Sequence, residues 1–172
     1  MLSSKEFIKV LEGQGYDFTL HEHEALFTVE DSNKLRGEIK GSHSKNLFLK
    51  NKKNKFFLIS CEEFTKINLK SISKSLCLGN VSFSKEEYLA NILGIKPGSV
   101  SPFALLNDIE NKVEFFLEDL LYNSEFINFH PITNTSTVTM RCNKFIEFMI
   151  ENNKKIHIFS TTKEKVIKTY EK

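Results

Sequence analysis

The sequence predicts an α+β domain built on a mixed, mostly antiparallel β-sheet. One observation is a clear β-hairpin near residue 50, and the other is a set of helical segments interspersed among further strands. The chain has 172 residues, of which 40% are hydrophobic and 27% charged, which is enough for one hydrophobic core. We therefore expect a single domain over residues 1–172, with a frayed polar tail over about residues 160–172.

The first elements have recognisable ends. Ser3 and Glu6 have the spacing of a capping box, and apolar residues follow at helical intervals, which predicts a helix that ends near Gly13. Alternation over residues 16–21 predicts a strand. A short helix is predicted over residues 28–36.

The hairpin is the clearest local unit. Apolar runs at residues 47–49 and 56–59 flank the polar turn of residues 51–54, a pattern typical of two paired strands. A lysine-rich helix is predicted next, over residues 68–76.

The second half alternates between strands and helices. Ser84 and Glu87 have capping-box spacing and predict a helix through Leu93. Proline and glycine predict a loop at residues 96–102. The remaining predicted elements are strands at 113–117, 125–129, 135–141 and 155–159, with a helix around 145–149.

Composition limits the classes of function. The formal net charge of +2 is low for a protein that coats nucleic acid, although lysines on one face suffice for a short contact. Cys61, Cys77 and Cys142 form no C-x-x-C pair, which favours reduced thiols and a cytoplasmic location. No apolar stretch approaches 18 residues and no leader pattern is visible, so neither a membrane span nor secretion is expected.

Common catalytic signatures are absent from the sequence. His21, His23 and His43 could supply imidazoles, but no cysteine or carboxylate spacing completes a zinc site, so we expect no metal. Neither a G-x-S-x-G elbow nor a phosphate-binding glycine motif is present. These absences leave room for an enzyme whose nucleophile is water, and they predict no cofactor.

Lysines are dense in and after the hairpin. Such lysines are either a solvated face or a local site for phosphates, with phenylalanine nearby for base stacking. The candidates for nucleic-acid contact are Lys50, Lys52, Lys53 and Lys74.

The loop at residues 96–102 has a second possible role. Successive backbone N–H groups in a Pro-Gly turn can converge on one point, as an oxyanion requires. The absence of a side chain at Gly98 allows a substrate to approach the main chain closely. The candidate substrate-binding residues are Gly98, Ser99, Val100, Ser101 and Pro102.

Three motifs in this order resemble the YbaK-like family of aminoacyl-tRNA deacylases, which is related to the editing domain inserted in bacterial prolyl-tRNA synthetase. They are the segment GSHSKNLFLK at 41–50, the loop KPGSVSPFALLND at 96–108 and Phe-His-Pro at 129–131, and the likeness spans about residues 18–158. The pair Lys45-Asn46 and the segment 27–31 are similar to the ProXp-ala (PrdX) branch, which removes alanine from proline tRNA. The segment at 21–25, which precedes these motifs, departs from the proline-rich pattern that the resemblance leads us to expect there.

The resemblance implies a fold, a reaction and a set of site residues. The fold would be barrel-like, and the reaction would be attack of water on the ester of mischarged tRNA, assisted by the ribose hydroxyl. Lys45, Asn46 and His130 would be the catalytic residues: Lys45 orients the terminal nucleotide and ester, Asn46 bonds near the ester or shapes the pocket, and His130 lines it. The implied partners are the acceptor end of mischarged tRNA and prolyl-tRNA synthetase.

Other interpretations remain open at this point. The fold could serve a non-catalytic tRNA-binding module or a regulatory protein of amino-acid metabolism. The deacylase could also act on another small amino acid, such as cysteine, serine or threonine. His130 could be structural, since it precedes Pro131.

Overall fold

The computed structural model describes residues 1–25 and 39–172. The predicted helix at 28–36 and the motif at 27–31 lie outside these residues. The first helix, α1 (Ser4–Gly13), begins as predicted: the Ser3 side chain accepts from the Glu6 backbone and the Glu6 carboxylate accepts from Ser3.

The strands among the described residues form one mixed sheet. Their bounds are β1 Thr19–Glu22, β2 Ser42–Asn51, β3 Phe56–Glu62, β4 Val81–Phe83, β5 Val113–Glu118, β6 Phe126–Phe129, β7 Ser136–Arg141, β8 Ile156–Ser160 and β9 Lys165–Tyr170. The order is β1-β7-β6-β2-β3-β5-β8-β9, and β4 also pairs with β2. The pairs β2/β6, β3/β5 and β5/β8 are parallel and the others antiparallel, so the predicted mixed, mostly antiparallel α+β fold is confirmed.

Short helices connect and cover the strands. They are α2 Leu69–Ser75, α3 Glu86–Tyr88, which continues as a wider π-type turn over Leu89–Leu93, a 3₁₀ helix at Pro102–Asn107, α4 Asp119–Tyr122 and α5 Cys142–Glu151. Asn68 caps α2 by accepting from the Ser71 backbone. The helix predicted over 68–76 is therefore confirmed.

Two local predictions were wrong. The Ser84–Glu87 capping box does not form: the Ser84 N–H donates to the Phe48 carbonyl of β2, and α3 begins after Lys85 with no side-chain cap. Residues 165–170 are not frayed but form β9, which pairs with β8. The backbone hydrogen bonds to β8 and the contact of Tyr170 with Tyr122 order this polar segment.

Two hydrophobic clusters lie against the sheet. The main cluster joins α1, α5 and the 3₁₀ helix through buried rings that include Phe7, Phe103, Phe129, Phe145 and Phe148. The second cluster packs α2 against β2 and β3 through residues such as Leu49, Ile59 and Ile72. Because side chains alternate along a strand, the two clusters occupy opposite faces of the β2/β3 hairpin.

Candidate active site

The face of β6 and β7 that points away from the main cluster is polar. Ile127 and Phe129 belong to the main cluster, so Asn128 between them points to the opposite face. His43 is in register with Asn128 across the parallel β2/β6 pair and lies on the same face. We call this surface the polar face and define it by His43, Lys45, Asn128, His130, Thr137 and Thr139.

A glycine permits the close approach of β2 to β6. Gly41 has φ of +92°, and a Cβ at this position would lie 2.6 Å from the Phe126 carbonyl oxygen. Only glycine combines this backbone conformation with the space available. The first residue of the 41–50 motif thus sets the position of His43 and Lys45.

Lys45 is held at the border between the polar face and the second cluster. It is in register with Cys61 of β3, a second-cluster residue, and its ammonium donates to the Thr65 carbonyl. A lysine ammonium has three donors, of which Thr65 accepts one. Lys45 is therefore a half-buried cation that can still donate to an oxygen of a ligand.

A buried carboxylate holds the segment to which Lys45 is bonded. Glu118, at the end of β5, is fully buried. It accepts from the Glu62 backbone N–H at 2.7 Å and from the Thr65 hydroxyl at 2.8 Å. Burial raises the pKa of Glu118, while these hydrogen bonds act in the opposite direction. Glu118 thus fixes the Thr65 main chain, which in turn holds Lys45.

His130 is held in one tautomer. Its Nδ1 lies 2.9 Å from the Ser136 carbonyl oxygen, and since a carbonyl only accepts, Nδ1 carries the proton and donates. In the neutral ring Nε2 is then a proton acceptor. Burial lowers the pKa of His130, and the nearby His23 and His43 lower it further, so the ring is neutral at neutral pH.

Two other histidines adjoin His130. The His23 ring centroid is 6.1 Å from that of His130, and the His23 Nε2 is 2.9 Å from the Thr137 hydroxyl. His43 Nε2 is buried and has no hydrogen-bond partner among the described residues. No group of three His, Cys, Asp or Glu residues in the described ranges is placed to hold a metal ion.

Asn46 projects from the opposite face of β2. It is in register with Ser60, whose hydroxyl donates to its Oδ1 at 2.5 Å. Its Nδ2 contacts the Ser44 hydroxyl at 3.4 Å. The structure therefore does not bring the Asn46 side chain onto the face of Lys45, although the two are neighbours in sequence.

The 96–102 loop ends beside the strand that leads to His130. Gly98 is exposed with φ of +85°, and the Ser99 N–H donates to the Lys96 carbonyl. Ser101 is buried and its hydroxyl caps the 3₁₀ helix that begins at Pro102. Val100 packs against the main cluster, and the Phe103 ring lies 5.8 Å from that of Phe129. No hydrogen bond among the described residues joins this loop to Lys45.

The predicted tRNA-binding lysines separate into different places. Lys50 and Lys52 line a groove beside β4, whereas Lys74 lines a neighbouring groove beside α2. Lys53 is exposed on the hairpin turn. The Lys50 ammonium donates to the Tyr88 hydroxyl at 3.0 Å.

Cys61 and Cys142 are buried free thiols with no sign of activation. Burial raises the pKa of Cys61, and it raises the pKa of Cys142 to about 12. A buried thiol of raised pKa is a poor nucleophile because the thiolate is the reactive form.

The sequence motifs single out Lys45 and His130 as candidates. They do not reveal Thr65 and Glu118, which hold Lys45 in place. Glu118 and Thr65 are 53 residues apart, and nothing local in the sequence pairs them. His43 was weighed only as a metal ligand, whereas the structure places it beside His130. Its position two residues before Lys45 in a strand was the available signal, since such residues share a face.

The comparisons with known proteins assign the chain to a family. The model of the aminoacyl-tRNA editing domain matches residues 23–148. The chain therefore belongs to the aminoacyl-tRNA editing domain family.

Two relatives agree with this assignment, and one solved structure shares the fold. The chain is 30% identical over 141 residues to the prolyl-tRNA editing protein ProX of Acetoanaerobium sticklandii, covering 81% of this chain and 86% of the relative. It is 36% identical over 133 residues to prolyl-tRNA synthetase associated domain-containing protein 1 of Xenopus laevis, covering 74% and 79%. The fold matches the crystal structure of a candidate trans-editing enzyme for prolyl tRNA synthetase with a TM-score of 0.66 and 15% identity, over 85% of this chain and 91% of that one.

No helix among the described residues is long and apolar enough to cross a membrane.

Proposed function

We propose that the chain, as one editing domain over residues 1–172, is a trans-editing deacylase that hydrolyses the ester of mischarged tRNA, with Ala-tRNA(Pro) as the main substrate. One observation supports this most strongly: a lysine ammonium and a neutral imidazole with an accepting Nε2 occur on the same polar face. The family and the ProX relative support the same reaction class.

The reaction needs a positioned water and a stabilised oxyanion. Water attacks the ester carbonyl carbon, the carbonyl oxygen becomes negative, and the ribose oxygen leaves with a proton. His130 Nε2 accepts a proton from the water, which the free ribose hydroxyl of the tRNA helps to orient, and returns that proton to the leaving ribose oxygen. The Lys45 ammonium orients the nucleotide and ester by its charge.

The loop residues complete the proposed pocket. The exposed backbone of Gly98 would hold the aminoacyl end, with the buried Ser99 beside it fixing the turn through its hydrogen bond to the Lys96 carbonyl. Phe103 packs the far end of this loop against Phe129, the residue before His130 in the chain. Val100, Ser101 and Pro102 shape the loop by packing and capping. Asn46, which faces Ser60, shapes the strand beneath the site.

Selection of alanine is a question of size. A proline side chain is excluded sterically. By contrast, one methylene changes the free energy that discriminates between substrates by only about 1–3 kcal/mol, so residues close to alanine in size are harder to reject. We therefore expect weaker activity on serine and glycine esters. The other partners proposed are the acceptor end of the tRNA and prolyl-tRNA synthetase.

The test is a deacylation assay on proline tRNA charged with alanine, serine, glycine or proline, with the protein alone and with a chelator present. The proposal expects rapid loss of alanine, slower loss of serine and glycine, and retention of proline. Binding of tRNA without any ester loss would instead show a non-catalytic RNA-binding module. Rapid loss of cysteine or threonine but not alanine would reject the alanine assignment.

A further inference from the structure

A groove at the far end of β2 combines lysines with one exposed and one partly buried aromatic ring. It lies between the hairpin turn, β4 and α3, and it has a volume of about 480 Å³. Lys50, Lys52, Lys85, Phe83 and Tyr88 are among its lining residues. We call it the lysine groove.

The charge of the lysine groove is of one sign. Every charged side chain that lines it is a lysine, and the other polar lining groups are neutral asparagines and serines. Lys52 and Lys85 are exposed. A surface of this composition complements an anionic chain, because each lysine can neutralise one phosphate.

The aromatic residues in the groove differ from the many core rings. The Phe83 side chain is 62% exposed, although most phenylalanines of the described chain are buried. The Lys50 ammonium lies 4.4 Å from the Tyr88 ring centroid and is thereby held at the groove wall. An exposed ring beside fixed lysines is the arrangement that stacks an unpaired base while the lysines contact its backbone.

The groove lies at a useful distance from the polar face. Phe83 is in register with Leu49 of β2, which shares a face with Lys45 four residues earlier, and four residues correspond to roughly 13 Å. A stacked nucleic-acid strand advances about 3.4 Å per nucleotide. An RNA with its reactive 3′ end near Lys45 could thus reach Phe83 with nucleotides about four positions back.

We propose that the lysine groove binds the RNA strand of the substrate away from its reactive end, with Phe83 stacking a base and Lys52 and Lys85 contacting phosphates. This proposal rests on the proposed function for the identity of the RNA. The sequence predicts nucleic-acid contact by Lys50 and Lys52. The proposal adds Lys85 and the aromatic residues Phe83 and Tyr88 to that contact surface.

The first test measures the binding of uncharged proline tRNA to the full chain, so that it does not depend on catalysis. Phe83→Ser is expected to raise Kd roughly 5- to 100-fold. The double variant Lys52→Gln, Lys85→Gln is expected to weaken binding and to reduce the slope of log K against log salt by about 1.4 to 1.8.

Matched controls separate the groove from general effects. Ile109→Ser removes another exposed hydrophobic side chain, and Lys163→Gln with Lys165→Gln removes the same charge elsewhere; none of these residues lines the groove. Both controls are expected to bind like the wild type. Groove variants that match their controls in Kd and salt slope would overturn the proposal, as would a wild type that does not bind the tRNA.

The second test separates this proposal from the proposed function. With Ala-tRNA(Pro), Phe83→Ser should raise KM while leaving kcat unchanged, because Phe83 touches no reacting atom. A wild type that binds tRNA through the groove but releases no alanine would refute the deacylase while the groove stands. A Phe83→Ser variant with lowered kcat and unchanged KM would refute the groove while the deacylase stands.

Discussion

The polar face and the second hydrophobic cluster lie on the same side of β2, yet their compositions are opposite. Toward the hairpin turn, Leu49 and Ile59 are buried beneath α2. Toward β6, the side chains that point the same way include His43 and Asn128. A sheet gains stability by burying apolar side chains, and polar groups there require hydrogen bonds to offset their desolvation. The difference separates a half of this face that stabilises the fold from a half to which the proposed function assigns the chemistry.

The largest effect on activity outside Lys45 is expected at His130. His130→Asn removes the proposed proton acceptor, and deacylation of Ala-tRNA(Pro) should fall about 100-fold or more. Single-turnover assays with circular dichroism measure rate and fold together. Full activity in this variant would show that His130 has only a structural role, through its hydrogen bond to the Ser136 carbonyl.

The second cluster should respond in the opposite way. Ile59→Ala leaves a cavity under α2, and the free energy of unfolding should fall by about 2–5 kcal/mol. The rate at a temperature where the variant stays folded should remain within a few-fold of the wild type. Urea unfolding and the same single-turnover assay test both statements. A large loss of rate in the folded variant would break the distinction between the two halves.

Glu118→Gln tests the link between the two halves. The amide keeps the shape and one accepting oxygen but replaces the other oxygen with an NH2 donor and removes the charge, and loss of a charged hydrogen bond costs about 1.5–3 kcal/mol. The rate should fall about tenfold, because the Thr65 main chain that holds Lys45 is loosened, with KM little changed. The control Glu110→Gln removes an exposed carboxylate. An unaltered kcat in a destabilised Glu118→Gln variant would restrict Glu118 to a structural role.

The smallest effect is the dependence on pH near neutrality. The folded state lowers the pKa of His130, so the folded protein binds fewer protons there than the unfolded chain between the two pKa values. This contribution to stability is present above about pH 6.5 and is lost as the pH falls through the lowered pKa. kcat/KM should rise with pH through the lowered pKa of His130 and level off above it, and His130→Asn should lose this acid limb. An acid limb that persists in the variant would assign it to another group.

Local pattern predicted the elements that bury an apolar face or use local caps. The hairpin and α1 are of this kind, since alternation and the Ser3–Glu6 pair act over a few residues. β4 and β9 could not be predicted this way, because both are short or largely exposed and are ordered by pairing with β2 and β8. The failure of the Ser84 cap has the same origin, since its N–H is taken by the distant Phe48 carbonyl.

The site was predictable in part for a related reason. Lys45 and His130 lie in motifs that the family resemblance brought out, whereas the hydrogen bonds of Glu118 join residues far apart in the chain. The alternation of β2 could have warned that Lys45 and Asn46 point to opposite faces, because neighbours in a strand always do. The same alternation places Lys45 on the face of His43, and only the structure shows that this face continues onto β6 at Asn128.

The most direct measurement compares wild type and Lys45→Ala in single-turnover deacylation of Ala-tRNA(Pro), with the thermal unfolding midpoint determined alongside. The account predicts that ester hydrolysis becomes undetectable above the spontaneous rate, while the midpoint moves by only a few degrees because one hydrogen bond to Thr65 is lost. Wild-type turnover by the alanine variant would contradict the account, because the polar face would then catalyse the reaction without its cation.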